Sequence, residues 1–524
     1  MIKLTDVSFG YAASDAQVFR RANLQISTGE FVLVCGPTGS GKSTFLKIFN
    51  GLAPHFTAGT LTGRIEIDGL DITGQQPHEL AGLVGYVNQQ PEGSFVADTV
   101  EDEIAYSLEQ LGFEQTEMRE RVLKYASLLG VQKLLSQNLN TLSGGQQQRV
   151  AIASALAAGQ KVLVLDEPTS ALDPLAADEI VELLMRLAHE QGITILLAEH
   201  RLERVISKAD SVIVVNGDSS VNKFLPREAF KEYRLVPPIV ELSQKLGWHP
   251  AALDPAEAEG RRIQPQQWIA LTEPEIGQTL LSAEGIVVEY GATKAVQNVS
   301  LEARAGEVVV IMGENGSGKS SLIWALQGLG VRQSGKVTTL LGETKTMSDK
   351  NRLDCVAMVP QKAADLLFLN SLAEELAESD RVAEVAATTT ATIFAKFAGR
   401  LDPNVHPRDM SAGQQLALVL ALQLVKDAPI VLLDEPTRGL DYAAKQALAR
   451  VIDQLMRENK TVILASHDIE FVAQIATRII VLADGQIVQS GIPCDLLAFG
   501  SPMSTQVSTA LKTNGLISVS QVIS

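Results

Sequence analysis

The residues of this chain best suited to chemistry are a lysine, a hydroxyl and two carboxylates, each beside a glycine turn or an apolar run. Gly36-Pro37-Thr38-Gly39-Ser40-Gly41-Lys42-Ser43 completes a G-x-x-x-x-G-K-[ST] pattern directly after the apolar Val32, Leu33 and Val34. Glycines at those positions let the backbone curl so that successive N–H groups point inward at phosphate. Lys42 supplies a charge for β- and γ-phosphates, and the Ser43 hydroxyl can ligate Mg2+. Further along, residues 141–173 run through a small-residue turn, a predicted helix, a predicted strand and two adjacent carboxylates. Ser143, Gly144 and Gly145 leave backbone N–H groups uncovered where that helix starts, a place that attracts an anion. Residues 162–165 read as a strand buried on both faces. Asp166 and Glu167 close it, and the carboxyl end of a buried parallel strand is where open α/β sheets hold metal and substrate.

The elements that must position these groups occur twice. Gly313-Glu314-Asn315-Gly316-Ser317-Gly318-Lys319-Ser320 again follows an apolar run, Val308–Met312. The offset is 277 residues from Lys42 to Lys319, 268 from Ser143 to Ser411 and from Asp166 to Asp434, and 267 from His200 to His467. Kept order and so small a drift mean two homologous domains, the second shorter by a few loop residues before Ser411. Strand-like runs at 31–34, 161–165 and 194–198, with counterparts at 308–312, 430–433 and 461–465, alternate with helical stretches. That alternation predicts an α/β fold with a largely parallel sheet in each half. Residues 101–112 and 118–129 have helical spacing and predict a helical subdomain inserted between the phosphate loop and Ser143.

The predicted domains are residues 1–224 and 281–499, with a connection at 225–280 and a Ser/Thr-rich mobile tail at 500–524. The connection holds Pro226, Pro237, Pro238, Pro250, Pro255, Pro265 and Pro274 together with Trp248 and Trp268. It reads as a linker partly packed on its neighbours, with a small recognition module as the alternative.

At 524 residues the chain exceeds one ordinary core. Its 46% hydrophobic and 20% charged residues are ordinary for a globular protein. A net charge of −17 argues against a general nucleic-acid binder, which needs Lys and Arg to neutralise phosphates. Cys35, Cys355 and Cys494 lack the spacing of a disulfide framework or zinc site, which points to a reducing compartment, and Cys35 reads as core. The opening MIKLTDVSFGY lacks the apolar region of a signal peptide. No apolar run reaches the roughly 18 residues of a membrane span, residues 416–425 coming nearest, so action at a membrane would go through a partner.

On these motifs the chain resembles a fused pair of ATP-binding cassette (ABC) ATPase domains, over nearly everything except the connection and the tail. The signature reads Leu142-Ser143-Gly144-Gly145-Gln146 and Met410-Ser411-Ala412-Gly413-Gln414, and the strand motifs VLVLDE and IVLLDE end at Asp166-Glu167 and Asp434-Glu435. Ser170-Ala171-Leu172-Asp173 and Arg438-Gly439-Leu440-Asp441 resemble the D-loop, His200 and His467 the switch histidine, and Gln89 and Gln361 the Q-loop glutamine. Tyr11 and Tyr290 resemble the adenine-stacking aromatic.

The resemblance implies two P-loop nucleotide-binding domains, each with a mostly parallel core sheet, an antiparallel β subdomain and an inserted helical subdomain. It implies ATP held by Gly36, Gly39, Gly41, Lys42, Ser43 and Thr44, and by Gly313, Gly316, Gly318, Lys319, Ser320 and Ser321. Mg2+ would sit on Ser43, Gln89 and Asp166, and on Ser320, Gln361 and Asp434. Glu167, His200, Glu435 and His467 would carry catalysis, since γ-phosphate hydrolysis needs a lysine, a metal, a carboxylate to orient or deprotonate water and a donor to the γ-phosphate. In that family the two domains of a pair sandwich two nucleotides head to tail. Ser411 and Gly413 would then close the first site, and Ser143 and Gly145 the second. Both carboxylate pairs and both histidines are present, so both sites are expected to hydrolyse ATP. The departures are Ala412 in place of Gly144 and Ala417 in place of Arg149, which make the signature closing the first site the less regular one.

Residues 85–112, GYVNQQPEGSFVADTVEDEIAYSLEQLG, resemble the stretch after the Q-loop in energy-coupling-factor transporter ATPases, with Ser94 standing where that group carries Gln. Residues 199–203, EHRLE, are similar to its fused members. That resemblance implies a membrane-embedded scaffold subunit and a small substrate-binding membrane subunit, a place at the cytoplasmic face of the cell membrane, and a vitamin, vitamin precursor, cobalt or nickel as cargo. The alternatives are a soluble twin-cassette translation factor on the ribosome and a fused sugar-importer ATPase. Translation factors of that kind carry a long basic connection; here residues 225–280 hold six Lys/Arg against eight Asp/Glu, which disfavours RNA contact.

Overall fold

The computed structural model describes residues 1–12, 16–170, 172–232, 236–261, 263–264, 268–269, 276–513 and 515–523. The chain divides into two compact units, Met1–Pro237 and Pro238–Ser524. Ala171 of the first D-loop, and Arg234, Arg262, Pro265, Glu273, Pro274 and Glu275 of the connection, lie outside the described residues.

Each unit is built on a six-stranded sheet. In the first unit the spatial order is Val221–Phe224, Ser211–Val215, Phe31–Cys35, Thr194–Ala198, Val162–Asp166 and Val84–Val87. All neighbours are parallel except the antiparallel edge strand Val221–Phe224. The second unit repeats this with Val356–Val359, Ile430–Asp434, Thr461–Ala465, Val308–Met312, Arg478–Ala483 and Gln486–Gly491. The central strands are Val-, Ile- and Leu-rich and buried along every residue, because helices cover both faces. Their shared direction brings the ends of Phe31–Cys35 and Val162–Asp166 to one edge of the sheet, where both chemical motifs begin.

A four-stranded antiparallel sheet completes each unit: Gln17–Ile26, Ile2–Tyr11, Gly59–Ile67 and Leu70–Asp71 in the first, Thr293–Arg304, Thr279–Tyr290, Ser334–Thr339 and Gly342–Glu343 in the second. In the first unit it closes over the helix that follows the phosphate loop through Phe9, Phe19, Phe45 and Phe49, whose rings touch in succession. Aliphatic side chains, among them Ile286, Val288, Leu322 and Ile323, fill the same place in the second. The helical inserts are Val100–Gln110 with Gln115–Leu128, and Leu372–Ala383 with Thr389–Ala398. Residues 416–425 fall mostly in the helix Ala412–Leu424, which packs in the core of its unit. Among the described residues no helix is long and apolar enough to cross a membrane.

The expectation of a mobile tail does not match the packing of residues 500–513 and 515–523. The helix Gln506–Leu511 and the residues after it bury Val507, Leu516, Ile517, Val519 and Val522. They lie against a part of the connection, the helix Pro238–Lys245, where Ile239 N–H donates to Gln506 Oε1 (3.3 Å) and Lys245 Nζ to the Val519 carbonyl (3.2 Å). Trp268 bridges to Val522, and Ile269 N–H donates to the Gln521 carbonyl (2.8 Å). Ser/Thr content suggested solvation, but Thr505 and Ser508 are buried and hydrogen-bond each other.

All three cysteines are free. Burial pushes the Cys35 thiol up to about 12, against a smaller opposing effect of Lys42. Iodoacetamide at pH 8 should therefore leave Cys35 unmodified in the folded chain and alkylate it after denaturation, read by mass spectrometry. Native labelling of Cys35 would mean that its strand opens.

Candidate functional site

Each phosphate loop leaves a fully buried strand and enters a helix at a left-handed glycine. Gly41 has φ 98° and Gly318 has φ 99°. A Cβ on Gly318 would lie 2.0 Å from the Ala295 carbonyl oxygen, a backbone atom with no room to yield. Gly318→Ala should therefore remove nucleotide binding in the second unit. Calorimetric titration of the full chain with an ATP analogue should show one site where the unmodified chain shows two; unchanged stoichiometry would overturn the assignment.

The lysines are held inside their loops. Lys42 Nζ donates to the Gly36 and Pro37 carbonyls (3.0 and 3.1 Å), and Lys319 Nζ to those of Gly313 and Glu314 (both 2.8 Å). On Gly39 and Gly316 a Cβ would meet nothing within 4 Å, so the open side of each loop lies there. Ser320 Oγ donates to Asp434 Oδ1 (2.9 Å), and the Ser43 hydroxyl lies near Asp166. Burial raises both aspartates, the serine hydroxyls opposing and the neighbouring glutamates adding; Asp434 reaches about 6. Asp166 Oδ1 is buried without a hydrogen-bond partner. A hydroxyl beside a carboxylate with a spare oxygen is a donor set that fits Mg2+.

Glu167 and Glu435 sit at left-handed φ, 50° and 48°, which costs a non-glycine residue about 1–3 kcal/mol and persists only where the surroundings impose it. Their N–H groups donate to the Ala198 and Ala465 carbonyls (both 3.0 Å), and a turn closes after each, Ser170 N–H to the Glu167 carbonyl and Arg438 N–H to that of Glu435 (both 3.2 Å). The switch histidines meet these carboxylates. His200 Nε2 lies 2.7 Å from Glu167 Oε1, whereas His467 Nδ1 lies 2.7 Å from Glu435 Oε2, so the two rings present different nitrogens. Gln89 Nε2 donates to Glu167 Oε2 (2.9 Å). Gln361 is exposed on its loop. Tyr11 hydrogen-bonds Thr44 through its hydroxyl and stands edge-on to Phe9, beside the phosphate loop; Tyr290 is half exposed at the end of its strand.

The signature serines cap helices. Ser143 Oγ accepts from Gln146 N–H (3.3 Å) and Ser143 N–H donates to Gln146 Oε1 (2.9 Å); Ser411 and Gln414 repeat both bonds at the same distances. The reciprocal cap survives Ala412, so the departure leaves the geometry of the turn intact. Its methyl faces Gly439, where an added Cβ would lie 3.8 Å away. Arg149 pairs with Glu179 (2.8 Å), while Ala417 is buried among Met410, Leu418 and Ala421. Gly145 and Gly413 pack against Ala176 and Ala444, just past the aspartates Asp173 and Asp441 that cap the next helices.

Sequence reasoning about roles missed two residues. Tyr86 lies close to Asp166, and burial together with that carboxylate pushes its phenol up. Glu199, next to His200, is buried and bonded to Thr169. The available signal was that neither is repeated: Met358 and Ser466 stand in their places in the second half.

A phosphate loop at the end of a parallel strand, beside a carboxylate pair and a histidine, defines a P-loop nucleoside triphosphatase. A family model described as "ABC transporter" matches residues 19–170 and again 296–438. The chain belongs to that family and is a tandem ABC ATPase, and domains of this kind bind ATP, generally with Mg2+. Over its whole length it is 38% identical to a Streptomyces avermitilis protein and 39% identical to one from Streptomyces coelicolor, each covered to 99% and each named "Putative ABC transporter ATP-binding protein". A Methanosarcina mazei protein of the same name is 32% identical, with 94% of this chain and 89% of that protein covered. Among solved structures, the RNase-L Inhibitor covers 93% of this chain and 91% of its own, with TM-score 0.57 and 22% identity. The ABCE1-containing model of ribosome-bound archaeal Pelota and ABCE1 covers 93% and 79%, with TM-score 0.62 and 23% identity. Identities that low speak to the fold alone.

Proposed function

We propose that the chain is the ATP-hydrolysing motor of a membrane importer of energy-coupling-factor type, working at the cytoplasmic face of the membrane on a scaffold subunit and a small substrate-binding subunit. The observation that carries this reading is the segment 85–112. Its acidic residues do structural work: Glu103 is buried and accepts the N–H groups of Val96 and Ala97 (2.9 and 3.0 Å). Glu375 does the same for Phe368 and Leu369 (2.6 and 2.8 Å). Each carboxylate thereby holds a loop that leaves an apolar side chain outside, Val96 at 62% and Phe368 at 79% exposure. Exposed apolar groups fixed between the Q-loop and the helical insert suit contact with a second protein. Full-length relatives named as transporter ATP-binding proteins support the same reading.

In each site the loop N–H groups and Lys42 or Lys319 bind and orient the β- and γ-phosphates, Glu167 or Glu435 orients or deprotonates the attacking water, and His200 or His467 donates to the γ-phosphate. Mg2+, when bound, would be held by Ser43, Gln89 and Asp166 or by Ser320, Gln361 and Asp434, and supplies charge that offsets what develops on the phosphate oxygens. The cargo is a vitamin, a vitamin precursor or a transition-metal ion, chosen by the membrane subunit. Pull-down of the tagged chain from detergent-solubilised membranes should recover two small polytopic proteins. Co-sedimentation with ribosomes and no membrane partner would overturn the importer in favour of a translation factor.

A further inference from the structure

Glu199 has no part in the roles assigned above, yet it is 3% exposed and lies beside Glu167. Its Oε1 accepts both donors of Thr169, the backbone N–H (3.2 Å) and Oγ1–H (2.6 Å). Thr169 is the third residue of the turn that begins at the strained Glu167 and closes at Ser170. Glu199 and His200 are adjacent at the end of a strand, where successive side chains diverge. One dipeptide thus reaches Glu167 twice, with His200 on its carboxylate and Glu199 on the turn behind it. Burial raises the Glu199 carboxyl, the bonds from Thr169 oppose this and the charge of Glu167 adds to it.

The second unit is built differently at this point. Ser466 occupies the place of Glu199, and its Oγ accepts the Asp468 N–H (3.1 Å). Thr437, in the place of Thr169, has a buried hydroxyl without a hydrogen-bond partner. A buried hydroxyl left in that state is costly, so the first unit has a clamp on its turn that the second does without.

We propose that Glu199 is a positioning residue for ATP hydrolysis in the first unit: by accepting both donors of Thr169 it fixes the turn that aims the Glu167 carboxylate. The proposal rests on Glu167 being the residue that activates water, and it deepens that assignment by making the two sites mechanically unequal. A catalytic carboxylate displaced by about 1 Å loses up to about 100-fold in rate, so a clamp on its turn acts on kcat, while the phosphate loop that sets ATP binding stays as it is.

The test is steady-state ATP hydrolysis by the full chain, with kcat and KM for ATP measured for Glu167→Gln, Glu199→Ala, Glu199→Gln and Thr169→Val. Glu167→Gln sets the loss that accompanies failure of the first site. Glu199→Ala should lower kcat by most of that loss with KM within about twofold of the unmodified chain, and Glu199→Gln, whose amide oxygen still accepts from Thr169, should recover at least half of the rate. Thr169→Val should lower kcat in the same direction, and combined with Glu199→Ala it should cost no more than Glu199→Ala alone. If Glu199→Ala fails to fold, Thr169→Val and Glu199→Gln carry the test. An unchanged kcat in Glu167→Gln would remove the catalytic assignment and the proposal with it. A reduced kcat in Glu167→Gln beside an unchanged kcat in Thr169→Val and Glu199→Ala, or a KM that rises as kcat falls, would overturn the clamp alone.

Discussion

The Glu167→Gln/Glu435→Gln double variant should hydrolyse ATP about 10²–10⁴-fold more slowly than the unmodified chain and still bind it, because positioned general bases contribute on that scale. Glutamine keeps the size of the side chain and one accepting oxygen, so one of the two contacts, from Gln89 at Oε2 or from His200 at Oε1, can persist while the proton acceptor is lost. ATP affinity, set by the glycine loops and by Lys42 and Lys319, should stay within about twofold. The single variants then report coupling. Two independent sites would leave about half of the rate in each; sites that fire only together would lose nearly all of it in either. A chain in which Glu435→Gln is inert and Glu167→Gln is unchanged hydrolyses at the second unit only. Radiometric phosphate release and equilibrium binding of a fluorescent ATP analogue measure the two quantities separately.

What the residues made legible was whatever depends on short spacing or on continuous burial. The phosphate loops need glycines at fixed offsets, and the strands Phe31–Cys35, Val162–Asp166 and Thr194–Ala198 are apolar throughout because both faces are covered, so each could be placed from composition alone. The contact of Glu167 with His200 joins residues 33 apart, and only the repeat at Glu435 and His467 made it expected. Glu199 and Thr169 are 30 apart and do not recur, so nothing in the pattern pointed to their bond. The Ala412 departure looked like a weakened signature because a sequence cannot show that the methyl faces a glycine, Gly439, with room to receive it. Residues 500–523 were misjudged for a related reason. Serine and threonine read as solvated until their hydroxyls are seen capping a buried helix, as Thr505 does for Gln506–Leu511.

That packing makes a strong prediction about stability. A chain ending at Phe499 should unfold about 10 °C or more below the full chain in the transition that belongs to the second unit. The deletion removes Val507, Leu516, Ile517, Val519 and Val522, all buried, and burying an aliphatic side chain of this size contributes about 1.5–3 kcal/mol. Ile517 belongs to the core cluster that includes Val308, Ile479, Leu496 and Leu497, so the cut uncovers the face of the sheet that carries the second phosphate loop. On the other side it strands the helix Pro238–Lys245, whose Ile239, Val240 and Leu242 are buried while Ile239 N–H and Lys245 Nζ bond to the deleted segment. For domains of this size each kcal/mol shifts the midpoint by about 2–4 °C, so a loss of several is easily resolved by calorimetry. Ile517→Ala alone should reproduce part of the shift, and Thr509→Ala, on the same segment but only partly buried, should not. Equal midpoints for the full and shortened chains would restore the reading of a tail. A lowered midpoint would instead make the 238–245 helix and the last residues a single brace, formed from two distant pieces of sequence on the second unit.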